Sequence, residues 1–586
     1  MNSEPVSAVS ESSRSPARVG NLLLVTFSFV IAAVTLFNGL DCVPLVDPDE
    51  GRNASVAREM MTAREWLIPR FNGAVYLDKP AFFFDASALA MRAFGASAGA
   101  ARLPSAVSAA ALLLAVFLFC RRERGTRMAA LAVAIVATFP LYAIFARLVI
   151  FDMMLALFVS LAIFAGYLAE RASGGLRRAW YVLGSLSTGV ATLVKGPVGF
   201  VLPLLVLLVF NPLDGRRGAW KRLLSPLNVL VFNAVVLPWF LGLSHACPDF
   251  PRYGLIEETF HRFTTGQFRR NAPIFFYLPV IVLGMMMWNL ILPEGGWQAW
   301  RIRRNWPGIV RLGIVWSVVV VFFFSLPKSK MPAYILSVSV SAGILVAAVF
   351  DAAWRNRASR SAQIVLRAVQ ALGALSFVFG LVIVLGLLAP SMPHRNLEAI
   401  FGQPAMLRPL LTVAAAGLFS IAGLCCVVRR IANIPLAFGL FVAFQLVART
   451  VVLAVMTVLG EPRSSRPLAS AISALPPDTE VAMYATFAPG LPFYLGHPVM
   501  LVSSDGNELR SNYQLFSISD TGRWPSTILP PSKMDQWLAG RRHPVLLVVR
   551  DNDSMLLREY ASRLGGKVLP LTPAYSGALI PAAKEH

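Results

Sequence analysis

The chain has 586 residues, of which 56% are hydrophobic and only 14% are charged. Soluble domains are usually about 45–50% apolar and about one quarter charged, so this composition excludes an ordinary soluble protein. The apolar residues occur in runs of roughly 15 to 27, which are long enough to cross a bilayer. The sequence therefore predicts a polytopic α-helical membrane protein. Its five cysteines are too few for a dense disulfide framework.

The hydropathy pattern predicts thirteen membrane spans. They lie at about residues 21–40, 103–120, 128–146, 153–169, 180–194, 196–211, 223–243, 273–293, 307–326, 331–350, 368–389, 409–428 and 433–459. An alternative joins 180–211 into one helix, because only Lys195-Gly196-Pro197 separates its halves, and gives twelve spans. The charge pattern favours thirteen, since twelve spans would move the basic run from Arg216 to Arg222 across the membrane.

The excess of basic residues follows this topology. With a cytoplasmic N-terminus, the predicted cytoplasmic segments hold 23 Lys and Arg against 7 Asp and Glu, which accounts for most of the net charge of +22. Such a distribution is typical of the positive-inside rule and needs no nucleic-acid partner. The odd number of spans then places the C-terminus on the side of the membrane opposite the N-terminus.

Three regions follow from the pattern: a cytoplasmic tail at residues 1–20, a transmembrane domain at 21–460 and a domain at 461–586 on the outer side of the membrane. The last region has apolar runs at Val481–Tyr484, Val499–Val502 and Pro544–Val549, separated by Gly, Pro and Asp. These runs predict the strands of a small α/β domain.

Polar groups gather in the first outer loop, residues 41–102, which carries Asp47-Pro48-Asp49-Glu50-Gly51-Arg52. Part of this run predicts a helix start, with Asp47 as N-cap, Pro48 at the first helical position and Glu50 closing a capping box. That assignment leaves Asp49 without a structural role. Asp49 is therefore the candidate catalytic acid.

Further charged groups lie at the predicted outer ends of the spans. A single Lys or Arg there is more often an interfacial anchor than a functional group. Together, however, a ring of cations beside acidic groups suits a substrate with a lipid-linked phosphate leaving group. These outer-face groups include Arg58, Lys79, Arg147, Asp152, Lys195, Arg262, Lys328, Lys330 and Tyr334.

The order of short motifs resembles bacterial polyprenyl-phosphate-dependent glycosyltransferases of the protein O-mannosyltransferase superfamily. The aminoarabinose transferases of lipid A are the most similar branch. The resemblance covers nearly the whole chain and rests on Pro48-Asp49-Glu50-Gly51-Arg52, Tyr76-Leu77-Asp78-Lys79-Pro80, Ala101-Arg102-Leu103-Pro104-Ser105, Lys195-Gly196-Pro197, Arg262-Phe263, Ser329-Lys330-Met331-Pro332 and Phe493-Tyr494-Leu495-Gly496.

This resemblance implies a C-type membrane glycosyltransferase fold in the bacterial inner membrane, with the active site and the domain 461–586 in the periplasm. It also implies specific roles for the matching residues. The catalytic candidates are Asp49, Asp152 and Glu50. The candidates for binding the donor phosphate are Lys79, Arg52, Arg58, Lys195, Arg262, Lys328, Lys330 and Tyr334. The family often has Glu-His-x-x-Arg-Phe where this chain has Glu258-Thr259-Phe260-His261-Arg262-Phe263, so a divalent metal is left open and no cofactor is required.

The implied reaction is inverting transfer of one sugar from a polyprenyl (undecaprenyl) phosphate to a periplasmic acceptor. The branch favours 4-amino-4-deoxy-L-arabinose and a lipid A phosphate. A hexose donor with a protein or another glycolipid as acceptor is the alternative, and a lipid-linked sugar transporter or flippase is an alternative of a different class. The predicted spans are nearly free of charge, which favours an enzyme over a transporter with ionisable groups at mid-membrane.

Two features remain open in the sequence. Arg449, with Gln445 one turn before it, lies within the last predicted span and could line a lipid-phosphate cavity or neutralise a buried acid. Cys42 and Cys247 both fall on the predicted outer side and could pair, although the sequence does not show that they are within bonding distance.

Overall fold

The computed structural model describes residues 15–254, 271–301, 303–388, 407–551 and 554–582. Helix α1 (Ser15–Phe37) is apolar and lies at the edge of a helical bundle, with many of its side chains exposed. The segment that follows α1 folds into two helices and a small hairpin: α2 (Asp49–Ala63), β1 (Arg70–Phe71), β2 (Ala74–Val75) and α3 (Phe82–Phe94).

The bundle continues with helices of very different lengths. They are α4 (Ala98–Arg124), α5 (Thr126–Thr138), α6 (Pro140–Phe145), α7 (Asp152–Ala169), α8 (Gly174–Lys195), α9 (Val198–Leu213), α10 (Ala219–Leu223), α11 (Pro226–Ala246), α12 (Phe250–Arg252), α13 (Tyr277–Met285), α14 (Leu292–Arg301), α15 (Gly308–Ser325), α16 (Val338–Arg355), α17 (Arg360–Leu388), α18 (Arg408–Ile431) and α19 (Ile434–Gly460).

Ten helices in the described ranges are long and apolar enough to cross a membrane, and two shorter apolar helices, α5 and α9, accompany them. Each of the thirteen predicted spans falls on helical structure. The polytopic helical class is therefore confirmed. The number of helices that cross the membrane stays a prediction.

The chain turns sharply between α8 and α9. Gly196 follows the last residue of α8 with a φ of +78°, a left-handed conformation that glycine adopts without strain, and Pro197 then precedes a new helix. Gly199 packs directly against the backbone of Ala191 and Thr192 in α8, so α9 folds back on α8. The single continuous helix over 180–211 that the twelve-span alternative assumed is therefore wrong.

The C-terminal part forms a six-stranded mixed sheet with helices. Its elements are α20 (Arg466–Ser473), β3 (Glu480–Tyr484), α21 (Leu491–Leu495), β4 (Met500–Val502), α22 (Asn512–Thr521), β5 (Ile528–Leu529), α23 (Met534–Ala539), β6 (Val545–Arg550), α24 (Ser554–Leu564), β7 (Lys567–Thr572) and β8 (Tyr575–Ile580). The strand order is β5-β4-β3-β6-β8-β7, parallel as far as β6 and antiparallel beyond it. The predicted α/β domain and its three strands are confirmed.

Strand β6 shows how this sheet joins the bundle. Its residues are buried on both faces, because successive side chains of a strand point to opposite sides. Leu546 and Val548 belong to the large apolar core that extends into the bundle, whereas Leu547 and Val549 pack with Leu557 of α24. The sheet is therefore docked on the bundle through one face.

Candidate active site

Three predicted site residues from distant parts of the bundle meet at one point. Lys195, the last residue of α8, forms an ion pair with Asp152, the first residue of α7. The Nζ atom of Lys195 also lies 4.9 Å from the centre of the Tyr334 ring. Both charged side chains are largely buried, at 7% exposure for Asp152 and 13% for Lys195. Asp152 therefore holds Lys195 in place, and Tyr334 covers it with an aromatic face.

Asp49 and Arg52 form a second pair, at the start of α2. The Nη2 atom of Arg52 donates to Oδ1 of Asp49 at 2.7 Å, and the guanidinium lies over the ring of Tyr76 at 6.0 Å. Burial lowers the pKa of Arg52, but Tyr76, Asp49 and Asp78 outweigh that effect and raise it. The side chain of Asp49 keeps 35% of its surface exposed, against 14% for Arg52. Asp49 is thus a carboxylate held by a cation and still accessible.

Glu50 has a different position from Asp49, although the two are neighbours in sequence. Its carboxylate is buried and accepts two hydrogen bonds at 2.9 Å from the guanidinium of Arg102. It also accepts backbone N–H groups of Val149 at 3.0 Å and Val46 at 3.2 Å. These contacts occupy both oxygens, so the geometry favours a structural role for Glu50 over the predicted catalytic one.

The predicted helix cap is wrong. Helix α2 begins at Asp49, its N-cap is Pro48, and no side chain caps it. Asp47 instead accepts a hydrogen bond from the hydroxyl of Ser465, and its backbone N–H donates to the carbonyl of Arg463 at 2.9 Å. The cap failed because Pro48 takes the cap position, which leaves the side chain of Asp47 free to bind the C-terminal domain. Burial raises the pKa of Asp47 to about 6.

Lys79 lies beside a carboxylate that joins three segments of the chain. The Nζ atom of Lys79 donates to the backbone carbonyl of Asp78 at 2.5 Å. The carboxylate of Asp78 accepts the backbone N–H groups of Asn512 at 3.0 Å and Tyr513 at 2.7 Å, at the start of α22. It also accepts the hydroxyl of Tyr253 at 2.8 Å. The loop that carries Lys79 is thereby attached to the C-terminal domain.

The remaining predicted phosphate ligands lie in different surroundings. Arg58 donates to the carbonyl of Phe493 in the C-terminal domain and lies over its ring at 5.6 Å, so its described contacts stabilise the domain interface. Lys330 is buried and donates to the carbonyls of Ala272 at 3.0 Å and Pro327 at 2.5 Å. Lys328 is exposed. Arg262 lies outside the described residues.

Sequence reasoning missed Asp78, Tyr76 and Tyr253 as members of this site. Asp78 and Tyr76 stand in the same short run as Lys79, so their position in the chain was the available signal. Nothing near Tyr253 in the sequence links it to Asp78. Within the described ranges, no group of three or more His, Cys, Asp or Glu side chains could hold a metal ion. Cys42 and Cys247 are both free thiols, so the pairing that the sequence left open is not formed.

The fold and site define a polytopic membrane protein with acid–cation pairs gathered at the end of its bundle that carries an α/β domain. Residues 78–241 match the family model of dolichyl-phosphate-mannose-protein mannosyltransferases. The chain is 32% identical over 308 residues to the undecaprenyl phosphate-alpha-4-amino-4-deoxy-L-arabinose arabinosyl transferase of Edwardsiella ictaluri, covering 52% of this chain and 55% of that protein. The corresponding protein of Pseudomonas aeruginosa is 33% identical over 323 residues, covering 53% and 57%.

The matched region thus spans little more than half the length of these curated relatives. The structural likeness is more extensive. The crystal structure of ArnT from Cupriavidus metallidurans bound to undecaprenyl phosphate matches with a TM-score of 0.78 at 27% identity, over 96% of this chain and 98% of that one. These likenesses confirm the predicted resemblance to the mannosyltransferase superfamily and its aminoarabinose-transferase branch. Together with the membrane spans, they indicate a protein of the bacterial inner membrane.

Proposed function

We propose that this chain is a membrane glycosyltransferase that transfers 4-amino-4-deoxy-L-arabinose from undecaprenyl phosphate to a phosphate of lipid A. The observation that carries the proposal is the grouping of Asp49, Arg52 and Lys79 on one segment of a bundle that matches an undecaprenyl-phosphate-bound structure over 96% of the chain. An acid that stays partly exposed beside a cation suits the departure of a phosphate leaving group.

In the proposed reaction, the bond between the anomeric carbon of the sugar and the donor phosphate oxygen breaks, and its electron pair stays on the phosphate. An oxygen of the acceptor phosphate forms the new bond from the opposite face, which inverts the configuration. Charge therefore grows on the leaving phosphate while positive charge develops on the sugar ring. Cations near the phosphate and a carboxylate near the sugar lower the barrier to this step.

The roles of the residues follow from their contacts. Lys79 and Arg52 would stabilise the leaving phosphate, with Lys195 and Lys328 as further cations. Asp152 would act as a positioning residue through its ion pair with Lys195. Asp49 would stabilise the developing positive charge, since transfer to a phosphate oxygen needs no proton removal. With a hydroxyl acceptor, Asp49 would instead be the general base.

The direct test is turnover by the purified full-length chain with undecaprenyl-phosphate aminoarabinose and lipid A, followed by mass spectrometry of the lipid A. A pentosamine increment that Asp49→Asn loses and Asp41→Asn keeps would support the proposal. Asp41 is a suitable control because it lies in the same loop and accepts a backbone N–H of Gly99 at 2.8 Å. A hexose or hexosamine increment would show that the donor carries a different sugar. Transport of the lipid-linked sugar without any new glycosidic bond would overturn the enzyme class.

We also propose the orientation and the division of the chain. The N-terminal tail (1–20) would be cytoplasmic, and the bundle (21–460) would present its site, with the domain 461–586, to the periplasm. The excess of Lys and Arg in the segments predicted to face the cytoplasm supports this orientation. Cysteines at Arg124 and Arg217 should resist an impermeant thiol reagent in intact cells.

A cysteine at exposed Asp505 should be labelled by the same reagent. Gly73 is a poor site for this test, because a side chain there would meet Thr527 and the glycine has a φ of +77°. Exposed Arg92 in α3 is the better second position. Labelling at Arg217 in intact cells would contradict the proposed orientation.

A further inference from the structure

Two arginines that are 302 positions apart converge on the end of helix α1. Arg147 donates to the carbonyl of Asn38 at 2.7 Å and to that of Gly39 at 2.7 Å. Arg449 donates to the carbonyl of Asn38 at 3.2 Å and to that of Val34 at 3.2 Å. The last carbonyls of a helix lack partners within the helix, and its C-terminus favours cations, which explains why the first guanidinium is there.

The second guanidinium needs another explanation. Both arginines reach the same oxygen of Asn38, and a hydrogen bond spans about 3 Å, so the two donor nitrogens lie within about 6 Å of each other. Neither arginine forms an ion pair with a carboxylate in the described part of the chain. Arg102 nearby has its own partner, Glu50. Among the described residues, no carboxylate therefore compensates the charge of these two cations by an ion pair.

The titration of Arg147 agrees with this crowding. Its pKa is lowered to about 10 by burial first, and then by the charges of Arg449 and Arg102. An anion between the two guanidiniums would remove the repulsion. Both guanidiniums also have N–H groups that could bind such an anion. The hydrogen bonds of Arg449 to α1 all come from its Nη2 atom, and those of Arg147 come from its two Nη atoms and not from Nε.

The surroundings of the pair indicate which anion would reach it. In the neighbouring turns of α1, the exposed fraction is 54% for Val30, 43% for Val34 and 39% for Phe37. This apolar surface belongs to a helix long enough to cross the membrane. The pair therefore lies at the end of this apolar flank, where lipid headgroups would reach it. Planar guanidinium groups bind phosphate through paired, charge-assisted hydrogen bonds.

We infer that Arg147 and Arg449 form a binding site for the phosphate of an anionic phospholipid, separate from the proposed donor site. The buried Glu50–Arg102 pair binds the same 38–44 segment through the carbonyls of Leu40 and Val43. Bound lipid would hold the end of α1 and the start of the 147–152 turn together. This site goes beyond glycosyl transfer, and binding alone can test it.

The test is native mass spectrometry of the purified full-length chain, titrated with phosphatidylglycerol or with phosphatidylcholine of the same acyl chains. We expect the wild type to bind phosphatidylglycerol more strongly than phosphatidylcholine. Arg449→Gln, whose amide can still donate to the α1 carbonyls, should weaken that binding at least tenfold. Arg449→Lys keeps the charge but loses the planar fork, and its affinity should fall between the two. Arg92→Gln, at an exposed arginine of α3, should bind like the wild type.

Equal affinity of the wild type and Arg449→Gln for phosphatidylglycerol would overturn the inference, and so would equal affinity of the wild type for the two lipids. A second measurement keeps the test decisive if one variant is less stable. Phosphatidylglycerol should raise the unfolding temperature of the wild type, because a ligand that binds only the folded state stabilises it. That increase should be absent in Arg449→Gln and present in Arg92→Gln. If the wild type bound phosphatidylglycerol as expected but transferred no sugar, only the proposed function would be contradicted.

Discussion

The ion pair between Asp152 and Lys195 joins the first residue of one helix to the last residue of the next. The two residues are 43 positions apart, and both side chains are largely buried. Removing one member of a buried pair leaves an uncompensated charge, which typically costs about 3–5 kcal/mol. The pair therefore fixes the start of α7 beside the end of α8.

This relationship predicts strong coupling between the two positions. Asp152→Asn and Lys195→Met should each lower the unfolding temperature, and the double variant should be less destabilised than the sum of the single ones. Turnover should fall in all three variants if Lys195 contacts the donor phosphate. Thermal unfolding and turnover of the four proteins provide the measurement, and simple additivity of the stability effects would contradict the coupling.

The acidic pair in the first loop predicts a difference in activity between neighbours. Asp49→Asn should keep the fold, because asparagine has nearly the same shape. Turnover should fall about 10²–10³-fold, because the variant lacks the charge that stabilises the developing positive charge on the sugar. Asp47→Asn should have little effect on turnover, since the side chain of Asp47 binds Ser465 at the start of the C-terminal domain. Steady-state kinetics of both variants would test this, and equal loss in both would show that Asp49 has no special role.

Glu50 should behave as a structural residue. Glu50→Gln removes the charge that Arg102 needs within a buried pair and should destabilise the protein by about 3–5 kcal/mol. The lost stability should appear in denaturant unfolding, while the fraction that remains folded turns over at nearly the normal rate. A stable Glu50→Gln protein with strongly reduced turnover would instead restore the catalytic assignment.

Asp78 should control how firmly the C-terminal domain holds α22. In Asp78→Asn, the side chain loses the negative charge at the helix N-terminus and would present an amide N–H₂ group to the backbone donors of Asn512 and Tyr513. We expect about 1–2 kcal/mol of local destabilisation. Hydrogen exchange across α22 should accelerate, and the KM for the donor should rise because Lys79 is adjacent.

Asn72→Ala is the matched control for Asp78→Asn. Asn72 also bridges the first loop and the C-terminal domain, through two hydrogen bonds of 2.8 Å with the backbone of Val499. The Asn72→Ala variant should weaken the docking of the C-terminal domain without a selective effect on the KM for the donor. An identical effect of both variants on the donor KM would mean that Asp78 contributes only to docking.

The raised pKa of Asp47 predicts a pH-dependent stability. The folded protein keeps a proton on Asp47 up to about pH 6, whereas an unfolded aspartate loses it near about pH 4, so the folded state binds more protons in that window. Stability should therefore fall as the pH rises through it, by up to about 3 kcal/mol. Asp47→Asn should lack this part of the pH dependence. Parallel stability profiles for the wild type and the variant would contradict it.

The sequence by itself determined the membrane class, the positions of the helical stretches and the strands of the C-terminal domain. These features depend on local composition and periodicity, which a single chain displays directly. Gly196 and Pro197 also marked the turn between α8 and α9, because their backbone preferences are local. Asp49 was also singled out from the sequence as the candidate acid, although the capping roles predicted for its neighbours Asp47 and Glu50 were wrong.

The tertiary structure alone decided which charged groups are paired. Asp47 meets Ser465 and Glu50 meets Arg102, and these partners are 418 and 52 positions away. Arg449 lies far along the chain from Arg147, yet both bind the end of α1. A side chain's role depends on the groups that burial brings to it, because desolvation makes an unpaired charge costly. Sequence spacing carries no record of such contacts. The partners of Asp47, Glu50 and Arg449 could therefore be identified only in the folded chain.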